Sequence, residues 1–189
     1  AYEAFKEVVI LGEQAGADLI HIETMSDTYE LKAAVLAAKE NTSLPVFATV
    51  IFDERKKLLT GADVSSVVAL LEGVDALGIN CAMGPKEMLP VLEELIKYSS
   101  VPIIVKPNAG LPKQRDGKTY YDVTEDEFAA YMEQIVRMGA CVIGGCCGTT
   151  PEHIRAMRKR CENAELVPVT EKEFTVVSSY GQSVILGEG

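Results

Sequence analysis

No stretch of the sequence is long and apolar enough to span a membrane, and no charged-then-apolar secretory pattern occurs. Basic runs are missing too, and the net charge of −10 argues against nucleic acid as a partner. Dinucleotide-binding GxGxxG, P-loop and HExxH patterns are all absent, which removes three common sequence routes to nucleotide or histidine–zinc chemistry. Histidine is scarce: His21 lies in a predicted strand and His153 in the first turn of a predicted helix, and both read as structural. What the chain does have is apolar content, 48% over 189 residues, enough for a good core. It also has five cysteines without secretory context, which point to a reducing, cytoplasmic compartment and to metal rather than disulfides.

The hydrophobic pattern alternates short apolar runs with amphipathic segments. Helices are predicted over about Ala1–Ala15, Ser26–Glu40, Asp63–Glu72, Lys86–Tyr98, Thr124–Met138 and Pro151–Asn163. Strands are predicted over Ala17–Thr24, Val46–Phe52, Ala76–Asn80, Pro102–Lys106 and Ala140–Ile143. A long loop, Pro107–Tyr121, separates the fourth strand from the fifth helix, and its part from Leu111 to Tyr120 reads as a cover or as plain surface. Five strands alternating with helices imply a parallel sheet with right-handed crossovers. Five are too few to close an eight-stranded barrel, so the choice lies between part of such a barrel and a free-standing doubly wound sheet. Beyond Asn163 the amphipathic period stops; Phe174–Tyr180 reads as a short extended segment, with Gly181 and Gly187 as punctuation.

Two strand ends carry chemistry. Gly144-Gly145-Cys146-Cys147-Gly148-Thr149-Thr150-Pro151 follows the last apolar strand and opens a helix, with Thr150 as N-cap and Pro151 in the first turn. Ala76-Leu77-Gly78-Ile79-Asn80-Cys81 is a second strand that ends on a cysteine. Active sites of parallel α/β folds gather at such strand ends. Three thiolates from two of them, Cys81, Cys146 and Cys147, fit a catalytic zinc site with one position open for substrate. The alternatives are three small core residues, or a phosphate cradled by the glycine-rich turn at the helix N-terminus. Cys141 and Cys161 read as structural.

Glu23 ends the first strand, where a carboxylate needs a cationic partner; that partner is a ligand's ammonium group or, alternatively, the acid is solvated or paired with a neighbouring lysine. Thr24 reads as a possible cap of the next helix. His21, two residues before Glu23, shares its face of the strand. Asn80 points away from Cys81 and is placed to brace the ligand loop or simply to satisfy local backbone groups. Asn108, just past a strand end, is placed to fill the open metal position or to meet substrate, or is simply a turn residue. Lys106 is expected inside the mouth formed by the strand ends, with no partner assignable.

GINC, VKPNAGLP and GGCCGTTPEHI together resemble the signature segments of the homocysteine S-methyltransferase family, over about residues 1–165. That family includes the homocysteine-binding module of cobalamin-dependent methionine synthase, which the chain resembles most, and betaine–homocysteine methyltransferase. The resemblance implies a TIM (β/α)8 barrel of which residues 1–165 hold the last five of eight βα units, with 166–189 as an extended linker toward a following module. It implies methylation of homocysteine to methionine, with zinc on Cys81, Cys146 and Cys147. Glu23 would hold the substrate's amino group, and Asn108 would lie at the substrate. The donor it implies is methylcobalamin on another module, supplied by methyltetrahydrofolate, with betaine or S-methylmethionine as alternatives. Without the first three strands, the chain alone is expected to be inactive; the alternative is a non-catalytic half-barrel that retains zinc at best as a structural ion.

Overall fold

Short, largely apolar runs form the strands of the central sheet and helices follow them along the chain, as the computed structural model shows over residues 1–173 and 175–186. The expectations for Phe174 and Gly187 lie outside the described residues. Five strands form one parallel sheet: β1 (Ile20–Met25), β2 (Val46–Val50), β3 (Ala76–Asn80), β4 (Ile103–Lys106) and, after an excursion, β7 (Ala140–Ile143). Six helices alternate with them among the described residues: α1 (Tyr2–Gln14), α2 (Thr28–Asn41), α3 (Val64–Leu70), α4 (Pro85–Tyr98), α5 (Glu125–Met138) and α6 (Pro151–Cys161). None of these helices is long and apolar enough to cross a membrane.

Local chemistry sets the boundaries. Asp27 caps α2 by accepting the Glu30 N–H at 2.8 Å, and Asp63 caps α3 through the Ser66 N–H at 2.9 Å. The Asp27 cap rules out Thr24 as the cap of α2. Pro85 opens α4 and Pro151 opens α6, where the missing N–H costs nothing.

The strand order β1-β2-β3-β4-β7 follows the chain without reversal, and consecutive helices pack against one another. A doubly wound sheet reverses its order at a switch point, and no such point occurs here. β3 is buried at every position, and Phe52, Leu77, Ile79, Leu92, Ile104, Phe128 and Met132 fill the core around it. β3 is paired on both edges, with β2 and with β4.

Two hairpins add to the sequence expectation: one lies in a stretch read as loop, and the other pairs the expected extended segment, found at Thr175–Ser178, with a second strand. The loop after β4 contains β5 (Lys113–Arg115) and β6 (Lys118–Tyr120), paired antiparallel around Asp116-Gly117. Both turn residues have positive φ, 52° and 72°, the geometry of a two-residue type I′ turn. The C-terminal segment folds into β8 (Thr175–Ser178) and β9 (Ser183–Leu186), with alternate residues half-buried. This hairpin docks on α2 and α3. Tyr180 stacks on Tyr29 with ring centroids 4.7 Å apart and donates to Asp27 at 2.9 Å, while Ser183 meets Ser65 at 2.7 Å.

Candidate metal centre

The strands end at one rim, and three of their loops are tied into a single unit there. Cys81 and Ala82 leave β3 in the left-handed region, each with φ 60°, a conformation that non-glycine residues adopt only when neighbours enforce it. The enforcing contacts are short-range: the Cys81 N–H donates to the Lys106 carbonyl at 3.1 Å, and the Met83 N–H to the Cys81 carbonyl at 2.7 Å. The segment after β4 then bridges to the double cysteine. Asn108 donates its N–H to the Met83 carbonyl at 3.0 Å, Cys146 donates to the Pro107 carbonyl at 2.8 Å, and Ala109 donates to the Cys147 carbonyl at 2.9 Å.

This frame brings Cys81, Cys146 and Cys147 together, with their three sulfurs within 4.8 Å of one another. Cys81 and Cys147 are 3.7 Å apart and Cys146 and Cys147 4.0 Å apart, sulfur to sulfur. Tetrahedral zinc with bonds of about 2.3 Å requires sulfurs about 3.8 Å from each other. Donor type and spacing both fit. Cys141 and Cys161 stand outside the group: the Cys141 thiol faces the Gly139 carbonyl, and Cys161 packs against the core.

To ionise together, the three thiols would need a cation. Burial, followed by a hydrogen bond and the charge of Cys81, pushes the Cys146 thiol up to about 11. Three thiolates at this spacing repel one another unless a positive ion stands between them. Tyr121, which the sequence reading missed, sits against the cluster. Burial, then the charge of Cys147 and a hydrogen bond to it, raise its phenol above the usual range. Its place follows from Gly148, where any Cβ would come within 2.3 Å of the Tyr121 ring. Only the glycine in the motif hinted at such close packing.

Supporting amides lie beneath. Asn80 is buried; it donates to Thr24 Oγ1 at 2.7 Å, accepts the Thr24 N–H at 3.1 Å, and turns its Nδ2 toward Cys146 Sγ at 3.9 Å. Asn108, expected at the open metal position or at substrate, is buried, and its Oδ1 is committed to the Cys147 N–H at 3.0 Å. The glycine-rich turn is committed in the same way. The N–H groups of Gly144, Cys146, Cys147, Thr149 and Thr150 go to Val105, Pro107, Asn108, Cys146 and His153 respectively. A phosphate cradle needs such groups free, and these five are already taken. His153 is structural as expected: Nδ1 takes the Thr150 N–H, Nε2 donates to the Val123 carbonyl at 3.0 Å, and the ring sits edge-on to Phe128.

Across the rim, Glu23 finds its cation in Lys106, whose ammonium contacts Oε1 and lies 3.4 Å from His21 Nε2. His21 and Glu23 thus share one face. Burial first, then the charge of Lys106, lowers the His21 pKa, against an opposing pull from Glu23.

Fold and site define a parallel α/β protein whose strand ends carry a three-cysteine centre able to hold a metal. The chain belongs to the homocysteine S-methyltransferase family, whose sequence pattern matches residues 1–161. It is 38% identical over 184 residues to the methionine synthase of Mycobacterium leprae (strain TN) and 37% identical over 169 residues to that of Mycobacterium tuberculosis (strain ATCC 25618 / H37Rv). Those matches cover 92% and 85% of this chain but only 15% and 14% of the two synthases. Among solved structures it is similar to the homocysteine methyltransferase MmuM from Escherichia coli. The apo form superposes with a TM-score of 0.69 at 30% identity, covering 85% of this chain and 58% of that one. The metallated form gives 0.69 at 31% identity, covering 85% and 52%.

Proposed function

We propose that the chain is the homocysteine-activating part of a methionine synthase, with zinc held by Cys81, Cys146 and Cys147. The observation that carries this reading is the cluster of three sulfurs within 4.8 Å, two of its separations, 3.7 and 4.0 Å, being those of a tetrahedral site. Bound zinc supplies a position at which a fourth sulfur gives up its proton near neutral pH yet stays nucleophilic.

The chain's own residues do the rest. Cys147, the most exposed of the three, marks the side from which substrate approaches. Asn108 and Asn80 hold the ligand loops so that the sulfurs stay converged, and Tyr121 covers Cys147. Glu23 offers a carboxylate to the substrate's ammonium group.

The unreversed strand order and the likeness to MmuM support five consecutive βα units of a (β/α)8 barrel over residues 1–165. In this reading 166–189 lead toward a following module, in keeping with the 15% and 14% of the two synthases that the chain spans. Identity to two methionine synthases supports methionine as the product, and the donor in this reading is methylcobalamin carried elsewhere in such a protein. Five unpaired cysteines fit a reducing, cytoplasmic setting.

The test is metal content under reducing conditions, for wild type and for Cys81→Ser, Cys146→Ser and Cys147→Ser. About one zinc per chain, lost in each variant, is the expected result. A folded wild-type chain without zinc, or zinc indifferent to all three changes, overturns the reading.

A further inference from the structure

Lys106 ends β4, the strand between the two that carry the cysteines. Its carbonyl accepts the Cys81 N–H at 3.1 Å, which fixes its backbone to the ligand loop. Its stem runs over Gly144, where any Cβ would come within 3.2 Å of Lys106 Cγ. Its side chain is only 16% exposed, against 45% for Glu23, so the ammonium is held in place rather than trailing in solvent.

An ammonium has three N–H donors. Glu23 Oε1 takes one, and His21 Nε2, kept unprotonated by burial and by Lys106 itself, accepts another. One donor remains. Glu23 likewise has acceptor capacity left, because Oε2 has no partner among the described residues. A lone carboxylate is enough to hold an amine. An ion pair in which both heads keep unused capacity is instead complementary to a ligand with both charges on one carbon. Such a zwitterion, laid head to head on the pair, gives every charge an opposite neighbour and leaves none buried alone.

We propose that Lys106 is a specificity-determining residue: it takes the α-carboxylate of the amino-acid substrate while Glu23 takes the α-ammonium. The inference rests on the homocysteine reading above. It makes the rim select α-amino acids over other thiols, a selection the thiolate–metal centre cannot make by itself.

Three thiols separate the two recognition elements: homocysteine, mercaptobutyrate without the ammonium, and aminopropanethiol without the carboxylate. Their binding to the zinc-loaded protein is measured by calorimetry for wild type, Lys106→Gln and Lys106→Met. The methionine variant keeps the stem packed over Gly144 without the charge, and zinc content reports that each variant is folded. Both variants are expected to weaken homocysteine and mercaptobutyrate by about tenfold to a hundredfold, the size of one charged hydrogen bond. Aminopropanethiol should bind as well as before or more tightly, since Glu23 is released from its partner. Equal weakening of all three thiols, or of none, overturns the role of Lys106 and leaves the homocysteine reading standing. Failure of the wild type to bind any of them overturns both.

Discussion

The amide oxygen of Asn108 accepts the backbone N–H of Cys147 at 3.0 Å, so a residue after β4 fixes the angle at which a thiol after β7 enters the metal cluster. Asn108→Ala removes the partner of that part-buried N–H, at a cost of about 0.5–1.5 kcal/mol in stability. Zinc affinity should fall about tenfold to a hundredfold, as it does when a group supporting a metal ligand is removed. A zinc competition titration reads this directly. Unchanged zinc affinity combined with weaker homocysteine binding would instead return Asn108 to a substrate contact.

Acid should loosen the outer face before it reaches the sheet. Burial works to raise the Asp63 carboxyl, but hydrogen bonds from Ser66 and the Lys57 ion pair outweigh it and hold it at about 2, below its ordinary 3.8. A depressed folded-state value means that the ionised form stabilises the fold. That contribution is complete above pH 3.8 and is lost as pH falls toward about 2. Asp63 caps α3 and also receives the hydroxyl of Ser183 at 3.3 Å, so helix start and C-terminal hairpin should lose amide-exchange protection together. Asp63→Asn should flatten the profile in that window. Equal acid loss in the variant would place the titration elsewhere.

Much of this arrangement was legible in the residues, for a physical reason. Caps, prolines and apolar periods act over a few residues, so Asp63, Pro85, Thr124 and Pro151 mark helix starts, and the cysteines fall at strand ends. The hairpin at Asp116-Gly117 was equally local, and its turn signature was in plain view within a stretch read as loop. Other features depend on register. Glu23 and Lys106 lie 83 residues apart on strands separated by two others, and no periodicity pairs them. Tyr121 meets Cys147 because the excursion after β4 folds back over the rim, a path set by tertiary packing. The C-terminal hairpin alternates with period two, and only its docking on α2 and α3 gives that alternation a buried side.

Gly148 tests whether Tyr121 belongs to the centre. Its φ of 78° lies in the left-handed region, and an added Cβ would sit 2.3 Å from the Tyr121 ring. Gly148→Ala therefore meets two separate costs, backbone strain and a displaced ring, and should destabilise the chain by more than about 1 kcal/mol. The double variant Gly148→Ala with Tyr121→Ala removes the ring and with it the clash, but keeps the strain. It should recover part of the lost stability relative to Gly148→Ala. Zinc affinity is the informative readout, because the strained loop carries Cys147 while the ring only covers it. Affinity that falls in Gly148→Ala and recovers in the double variant means that the displaced ring was disturbing the ligand. Affinity that stays low means that the backbone at Gly148 sets the sulfur's position and the tyrosine acts only as a cover.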